Sequence, residues 1–115
     1  MLKNGIPADQ IIHMSYDDVA SDERNPFKGQ LFNKPDGENV YDQSNIDYSG
    51  RKVNATNFLA VLTGDEETAG GKVLKSNENS QVFVYYADHG APGFVAMPTG
   101  GYLYADKLQE AIATM

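Results

Sequence analysis

Apolar runs of two different periods follow each other along the chain and predict a strand, a helix and a second strand. The stretch QIIHMSYD, residues 10–17, is rich in β-forming residues and leads into two aspartates, which predicts a buried strand. Residues 54–63 have the helical period, with an asparagine in the N-cap position and a glycine directly after the last turn. The continuous run QVFVYYA, residues 81–87, predicts a second strand that is covered on both faces. This order predicts a βαβ unit with a parallel sheet.

The rest of the chain predicts a long loop, a hairpin and a last helix. Residues 19–53 form the loop, within which QLFNKPDGENVYD is a candidate hairpin that turns at Pro35-Asp36-Gly37. A second hairpin is predicted over residues 93–104, and a helix over residues 105–115. The apolar period of that helix continues to its last residue. The stretch LKNG at the start of the chain resembles the C-terminal end of a helix. We therefore expect an incomplete piece of a larger α/β domain.

Composition excludes several classes of function. The chain has 115 residues, 41% of them hydrophobic, which suits a single soluble domain with a small core. Sixteen acidic and nine basic residues give a formal net charge of −7, which argues against nucleic acid or an anionic membrane as partner. No apolar run reaches the length of a membrane span. There is no cysteine, so these residues contain neither a disulfide, a thiolate metal site nor a cysteine nucleophile.

The tripeptide Asp88-His89-Gly90 is the strongest candidate for chemistry, because it ends the second predicted strand. Functional groups collect beyond the carboxyl ends of strands in open parallel sheets. A histidine there can take and return a proton near neutral pH, and a following glycine lets a backbone N–H approach a substrate oxygen. On the residues alone, a surface turn that happens to hold a histidine stays an open alternative.

Other polar residues have structural interpretations that we favour. His13 lies within the first predicted strand, where a hydrogen-bonded structural histidine is the simpler interpretation, and nothing in the spacing brings it together with His89 as a metal site. Asp17 and Asp18 could pair as acid and base, but capping or solvation of a loop is favoured. Asn54-Ala55-Thr56 matches an N-glycosylation sequon, yet an asparagine that caps a helix is a poor acceptor.

Five blocks of sequence together resemble the legumain family of asparaginyl endopeptidases, which are called vacuolar processing enzymes in plants. These are NGIPADQIIHMSYDDVA, NPFKGQLFNKPDGENVY, DYSGRKVNATNFLAVLTGD, GKVLKS and VFVYYADHGAPGFVAMP with YLYADKL after it. The resemblance implies a caspase-like three-layer α/β/α fold with a mainly parallel sheet. It also implies that His89 is the catalytic histidine and that Gly90 donates its N–H to the oxyanion. Asp88 matches the aspartate that closes to a succinimide in this family and is linked to peptide ligation.

The same resemblance implies a cysteine peptidase that cleaves after asparagine, without metal or organic cofactor, in a lysosome, vacuole or secretory compartment. Its nucleophile is a cysteine in a Glu-Ala-Cys-type motif, which this chain lacks, so we expect the 115 residues alone to be inactive. Peptides with asparagine before the cleaved bond would be the substrates, and an open sheet edge would favour self-association. Two alternatives stay open: the related transamidase subunit that attaches glycolipid anchors, and a non-catalytic truncated fragment. Asp88 favours the legumain family over the transamidase branch, which has glycine in that position.

Overall fold

The computed structural model describes all 115 residues and contains three α-helices and one small sheet. The helices are α1 (Ala55–Thr63), α2 (Glu66–Ala69) and α3 (Ala105–Thr114). The strands are β1 (Gly90–Ala91), β2 (Phe94–Ala96) and β3 (Tyr102–Tyr104). Short 3-10 helices lie at Leu2–Asn4, Ala8–Gln10, Gln43–Asn45 and Gly50–Lys52. No helix combines the length and the apolar character that crossing a membrane requires.

Helix α1 occupies the range predicted for it and is defined by caps at both ends. The Asn54 side chain accepts a hydrogen bond from the backbone N–H of Asn57 at 2.9 Å, which satisfies one of the free amides of the first turn. Gly64 ends the helix with φ of +75°, a conformation that glycine adopts without a steric cost. Because the Asn54 amide also donates to the carbonyl of Arg51, the sequon asparagine is fully engaged in the cap.

The sheet is antiparallel, with the strand order β1-β2-β3. It includes the hairpin predicted over residues 93–104, whose strands pair Phe94 with Tyr104 and Ala96 with Tyr102. Parallel pairing is limited to one isolated bridge, Met14 with Tyr48. The predicted parallel three-layer sheet is therefore not visible in these residues. The antiparallel hairpin is the part of the sheet that forms through local contacts alone.

The strands predicted over residues 10–17 and 81–87 follow irregular paths instead. An apolar sequence identifies a segment that is suited to a sheet. A strand also needs a neighbouring segment whose backbone accepts and donates hydrogen bonds along its edge. The first segment finds part of such a neighbour, since Ser15 N–H donates to the Tyr48 carbonyl at 3.0 Å and Tyr48 N–H donates to the His13 carbonyl at 3.1 Å. The second segment pairs with no strand and leaves Phe83 74% and Tyr85 79% exposed.

The long loop over residues 19–53 contains no strands, and side chains supply many of its hydrogen bonds. Asn25 donates from its amide to the carbonyls of Ala20 and Gln30, both at 3.1 Å, while its side-chain oxygen accepts from Phe27 N–H. The turn predicted at Pro35-Asp36-Gly37 forms, because Gly37 N–H reaches the Lys34 carbonyl, but no strands extend from it. Asparagine is suited to this role because its amide donates and accepts at once.

Tyr48 is the centre of the core. Its side chain is 1% exposed and packs with apolar residues from α1 and α2 and from their flanking segments, namely Val53, Ala60, Val61, Ala69 and Val73. The Tyr48 hydroxyl donates to the carbonyl of Lys72 at 2.8 Å. Gly71 fits closely here, since a Cβ at that position would lie 2.9 Å from the Tyr48 hydroxyl. Only a glycine admits the ring at this distance.

Lys72 joins the first extended segment to the core. Its ammonium group donates to the carbonyls of Ala8 and Ile11, at 2.9 and 2.7 Å, and to the Asp47 carboxylate at 3.1 Å. The same carboxylate accepts from His13 N–H at 2.8 Å. Three parts of the chain that are distant in sequence therefore meet at one charged group.

Replacing Tyr48 by phenylalanine removes the hydroxyl and leaves the part-buried Lys72 carbonyl without this hydrogen-bond donor. We expect Tyr48→Phe to lower the free energy of unfolding by about 1–2 kcal/mol. Urea unfolding followed by circular dichroism measures the change. The matched control is Tyr85→Phe, which removes an exposed hydroxyl. Equal stability of the two variants would contradict the role given to the Tyr48 hydroxyl.

Alkaline pH tests the same residue. Burial, with a smaller contribution from the Asp47 carboxylate, raises the pKa of Tyr48 above its ordinary value. The unfolded chain therefore loses this proton first as the pH rises past about 10, so the stability held by Tyr48 is complete below that pH and is lost above it. Denaturant midpoints measured from about pH 8 to 11 should fall less steeply in Tyr48→Phe than in the unsubstituted chain. If the midpoints of the two proteins fell equally with pH, the raised pKa of Tyr48 would not contribute to stability.

Candidate active site

The candidate tripeptide enters the sheet at the beginning of β1. Asp88 and His89 are exposed and directly precede the strand, and Gly90 is its first residue. Pro92 and Gly93 make the connection from β1 to β2, with Gly93 at φ of +90°. Glycine tolerates this angle, and the proline ring restricts φ of Pro92 itself, the residue before Gly93. The chain therefore reverses direction within these two residues. The hairpin thus fixes the position of the tripeptide relative to β2.

The backbone N–H of Gly90 points away from the sheet. Ala96 N–H donates to the His89 carbonyl at 2.7 Å, so residues 89 and 96 occupy a hydrogen-bonding position of the antiparallel ladder. Alternation then makes Gly90 and Val95 a non-hydrogen-bonded pair, whose amides face outward. β1 is the edge of the sheet, and its outward side has no strand. Next to the histidine, the structure therefore presents a backbone donor that is available to a ligand.

Gly90 also permits close packing. A Cβ built at this position would lie 3.3 Å from the Phe94 carbonyl oxygen and 3.4 Å from a methyl group of Val95. The distance to the carbonyl oxygen is shorter than most contacts that a Cβ makes in proteins, while the distance to the methyl group is at the lower end of ordinary contact. A side chain here would require the Phe94 carbonyl to shift by a few tenths of an ångström.

The Asp88 carboxylate accepts a hydrogen bond from the backbone N–H of His89, with 2.6 Å between nitrogen and oxygen. The next tyrosine upstream, Tyr86, donates its hydroxyl to the Ala96 carbonyl and lies 2.8 Å from the Met97 sulfur. Its ring meets that of Phe58 edge to face at 5.8 Å. Tyr86 therefore fastens the segment before the tripeptide both to the hairpin and to helix α1.

An exposed aromatic cluster lies on the same face of the hairpin as His89. The register places residues 89, 94, 96, 102 and 104 on one face, because paired residues project to the same side. Phe94 and Tyr102 have ring centroids 4.3 Å apart, and Phe94 and Tyr104 are 6.0 Å apart. Both tyrosines are half exposed, so the histidine adjoins a surface able to contact an extended peptide.

The remaining polar residues singled out in the sequence have local partners. His13 Nδ1 lies 3.2 Å from the Asn45 carbonyl, which fits the structural interpretation. Asp17 accepts from the Tyr41 hydroxyl at 2.8 Å, and this hydrogen bond to the carboxylate raises the pKa of Tyr41. Asp17 thus serves to hold the loop, and Asp18 is not among its partners. No group of three or more histidine, aspartate or glutamate side chains is arranged to hold a metal ion.

The structure adds residues that sequence reasoning missed. The apolar pattern includes Tyr86 only as a member of the strand predicted over residues 81–87, although a hydroxyl two residues before the aspartate signals that it needs a partner. Thr99 lies within the predicted hairpin, and its hydroxyl donates to the carbonyls of Arg51 and Val53, at 3.2 and 3.1 Å. Those two contacts tie the tip of the hairpin to the segment that precedes α1.

Comparison with known proteins agrees with the resemblance that the sequence blocks indicated. The sequence profile of the peptidase C13 family matches residues 1–115. A vacuolar-processing enzyme of Vicia sativa is 49% identical over 113 residues, which cover 96% of this chain and 23% of that protein. Legumain of Rattus norvegicus is 51% identical over 117 residues, covering 98% of this chain and 27% of that protein.

A third relative, a hemoglobinase of Schistosoma mansoni, is 48% identical over 108 residues, which cover 94% of this chain and 25% of that protein. The chain thus spans about a quarter of the length of these relatives. Agreement over nearly all of its residues with proteins from a plant, a mammal and a flatworm leaves the assignment clear. This chain belongs to the peptidase C13 family.

Proposed function

We propose that this chain supplies the histidine half of a cysteine endopeptidase that cleaves peptide bonds after asparagine. Family membership supports a peptidase acting on proteins or peptides. The observation that carries acyl transfer is an exposed His89 next to the outward-facing N–H of Gly90 at a free sheet edge, while the preference for asparagine is what the resemblance to the legumain family implies. A base and an oxyanion donor in adjacent residues are what acyl transfer requires from this side of a substrate.

In this mechanism His89 maintains a cysteine as thiolate, the form that attacks the carbonyl carbon after asparagine. The sulfur–carbon bond forms while the carbonyl oxygen takes the negative charge, and the Gly90 N–H hydrogen-bonds that oxygen. His89 then protonates the leaving amine as the carbon–nitrogen bond breaks. In the second half-reaction it assists the water that hydrolyses the thioester. The nucleophile is not among these 115 residues, which contain no cysteine.

Asp88 directly precedes His89, and we do not assign it as the base. Its carboxylate already accepts the His89 amide, and we propose it as the residue that closes to a succinimide. The aromatic face beside His89 would hold the substrate chain, and no metal or organic cofactor takes part. The names of the plant and animal relatives support a vacuolar or lysosomal location.

Substitution of His89 is the direct test. In the full-length natural product, His89→Ala should lower kcat/KM on a fluorogenic Ala-Ala-Asn peptide by about 10²–10⁴-fold, because proton transfer is lost. His13→Ala is the matched control and should leave kcat/KM within roughly threefold, since that ring contacts only a loop carbonyl. The assay compares initial rates between about pH 4 and 8. The 115-residue chain alone should show no cleavage.

Three results would count against the proposal. Full activity of His89→Ala would remove the histidine from the mechanism. Cleavage after residues other than asparagine, with none after asparagine, would retain a C13 peptidase and reject the substrate specificity. Absence of any cleavage by the natural product would favour the non-catalytic alternative.

The exposed segment Val82–Tyr85 supports a second, physical proposal: the isolated chain pairs with another copy of itself. The segment is apolar, belongs to no strand and exposes Phe83 and Tyr85 by about three-quarters of their surface. Strand edges and apolar runs of this kind associate readily. The acidic net charge opposes this association but is spread over the whole chain.

Charged substitutions test this association. We expect the isolated chain to sediment as dimers or larger species at tens of micromolar, and Phe83→Lys with Tyr85→Lys to shift it toward the monomer. Val40→Lys is the control, because Val40 is 55% exposed but lies outside the apolar run. Analytical ultracentrifugation gives the masses. A monomeric unsubstituted chain at the same concentration would refute self-association.

A further inference from the structure

One hydrogen bond is missing from the ladder between β1 and β2. A hydrogen-bonded antiparallel pair exchanges two bonds, one in each direction. Residues 89 and 96 make only one of them, from Ala96 N–H to the His89 carbonyl at 2.7 Å. The return bond, from His89 N–H to the Ala96 carbonyl, is absent from the ladder, and β1 begins one residue later, at Gly90.

Both groups of the missing bond have other partners. The Ala96 carbonyl accepts from the Tyr86 hydroxyl, and the His89 N–H donates to the Asp88 carboxylate at 2.6 Å. A side chain has therefore replaced each backbone partner. In this arrangement the Ala96 carbonyl accepts from Tyr86 and the His89 amide donates to Asp88, so neither group is left without a hydrogen bond.

We propose that Tyr86 is a positioning residue, whose hydroxyl occupies the Ala96 carbonyl and thereby keeps the His89 amide out of the ladder and against Asp88. The consequence for catalysis rests on the function proposed above for His89 and Asp88. The geometric part of the inference concerns backbone hydrogen bonds alone and holds independently of it.

Tyr86 is built to hold this position. Its ring lies edge to face against Phe58 of helix α1, and its hydroxyl also lies 2.8 Å from the Met97 sulfur. Burial, together with the charge of Asp88, raises the pKa of Tyr86, so the hydroxyl remains a donor throughout the pH range of a peptidase. The neighbouring Tyr85 is 79% exposed and makes no hydrogen bond to the protein. The two adjacent tyrosines therefore differ both in burial and in the hydrogen bond that the hydroxyl makes.

The arrangement places two reacting atoms of Asp88 and His89 next to each other. In succinimide closure the His89 backbone nitrogen attacks Cγ of the protonated Asp88 carboxyl, a nitrogen–carbon bond forms, and the carbon–oxygen bond breaks. The carboxyl hydroxyl leaves as water together with the amide hydrogen. An amide nitrogen that is bonded into a ladder cannot turn toward its own upstream side chain. By holding the Ala96 carbonyl, Tyr86 keeps that nitrogen accessible.

The test compares Tyr86→Phe with Tyr85→Phe in the full-length natural product. Crystal structures should show the His89 nitrogen within about 3.2 Å of the Ala96 oxygen in Tyr86→Phe only, with the Asp88 contact broken. In that variant kcat on the Ala-Ala-Asn peptide should fall about tenfold with KM unchanged, because His89 has turned from its reactive orientation. The fraction of peptide that has lost one water at Asp88, read by mass spectrometry, should fall as well.

An unchanged contact between His89 and Asp88 in Tyr86→Phe would overturn the proposal, as would equal kcat in the two variants. Should Tyr86→Phe not fold, Asp88→Ala provides the second test. With Tyr86 still on the Ala96 carbonyl, the His89 nitrogen should stay more than about 3.5 Å from that oxygen even though its acceptor is gone. Formation of the ladder bond in Asp88→Ala would overturn the proposal. If the protein cleaves nothing but the predicted distances appear, the positioning stands and the proposed function fails.

Discussion

The hydrogen bond between the buried Tyr48 hydroxyl and the Lys72 carbonyl is the contact on which the rest of the structure depends. Tyr48 lies near the end of the long loop, its backbone lies alongside residues 13–15, and its ring packs against α1. Lys72 follows α2, and its side chain reaches back to the first segment through the carbonyls of Ala8 and Ile11. Together these contacts connect three regions of the chain that are separated by 24 or more positions.

These contacts matter for the candidate site because they determine the position of α1. Phe58 of α1 packs against the ring of Tyr86. The hairpin is held a second time by Thr99, which bonds the segment just before that helix. The exposed tripeptide therefore lies between two residues that are held in place, Tyr86 before it and Thr99 after it, although its own side chains have few neighbours. Only 11 of the 115 residues are buried, so rigidity here comes from hydrogen bonds at particular backbone atoms more than from a large core.

The sequence predicted the elements that local interactions determine. Helix α1 has a capping asparagine, an apolar face and a terminal glycine, and the hairpin over residues 93–104 has its turn residues in place. The segments 10–17 and 81–87 have equally clear patterns, but a strand depends on a partner that no local pattern specifies. For the site, the tripeptide was visible as an abrupt end to an apolar run. The link from Tyr86 to Ala96 was not, because it joins a side chain to a backbone carbonyl across a turn.

The pairing of β1 with β2 determines the directions of the backbone amides in the candidate tripeptide. An acyl transfer needs a base, an oxyanion donor and a nucleophile at one point, and in the proposed function the first two would come from consecutive residues of one strand end. Consecutive residues in a regular strand project to opposite faces and direct their amides to opposite edges. The Gly90 amide points outward because Gly90 and Val95 form a non-hydrogen-bonded pair, whereas the His89 N–H donates to the Asp88 carboxylate and makes no ladder bond. Under the proposed function, this irregular start of β1 would let His89 and Gly90 act on one substrate bond.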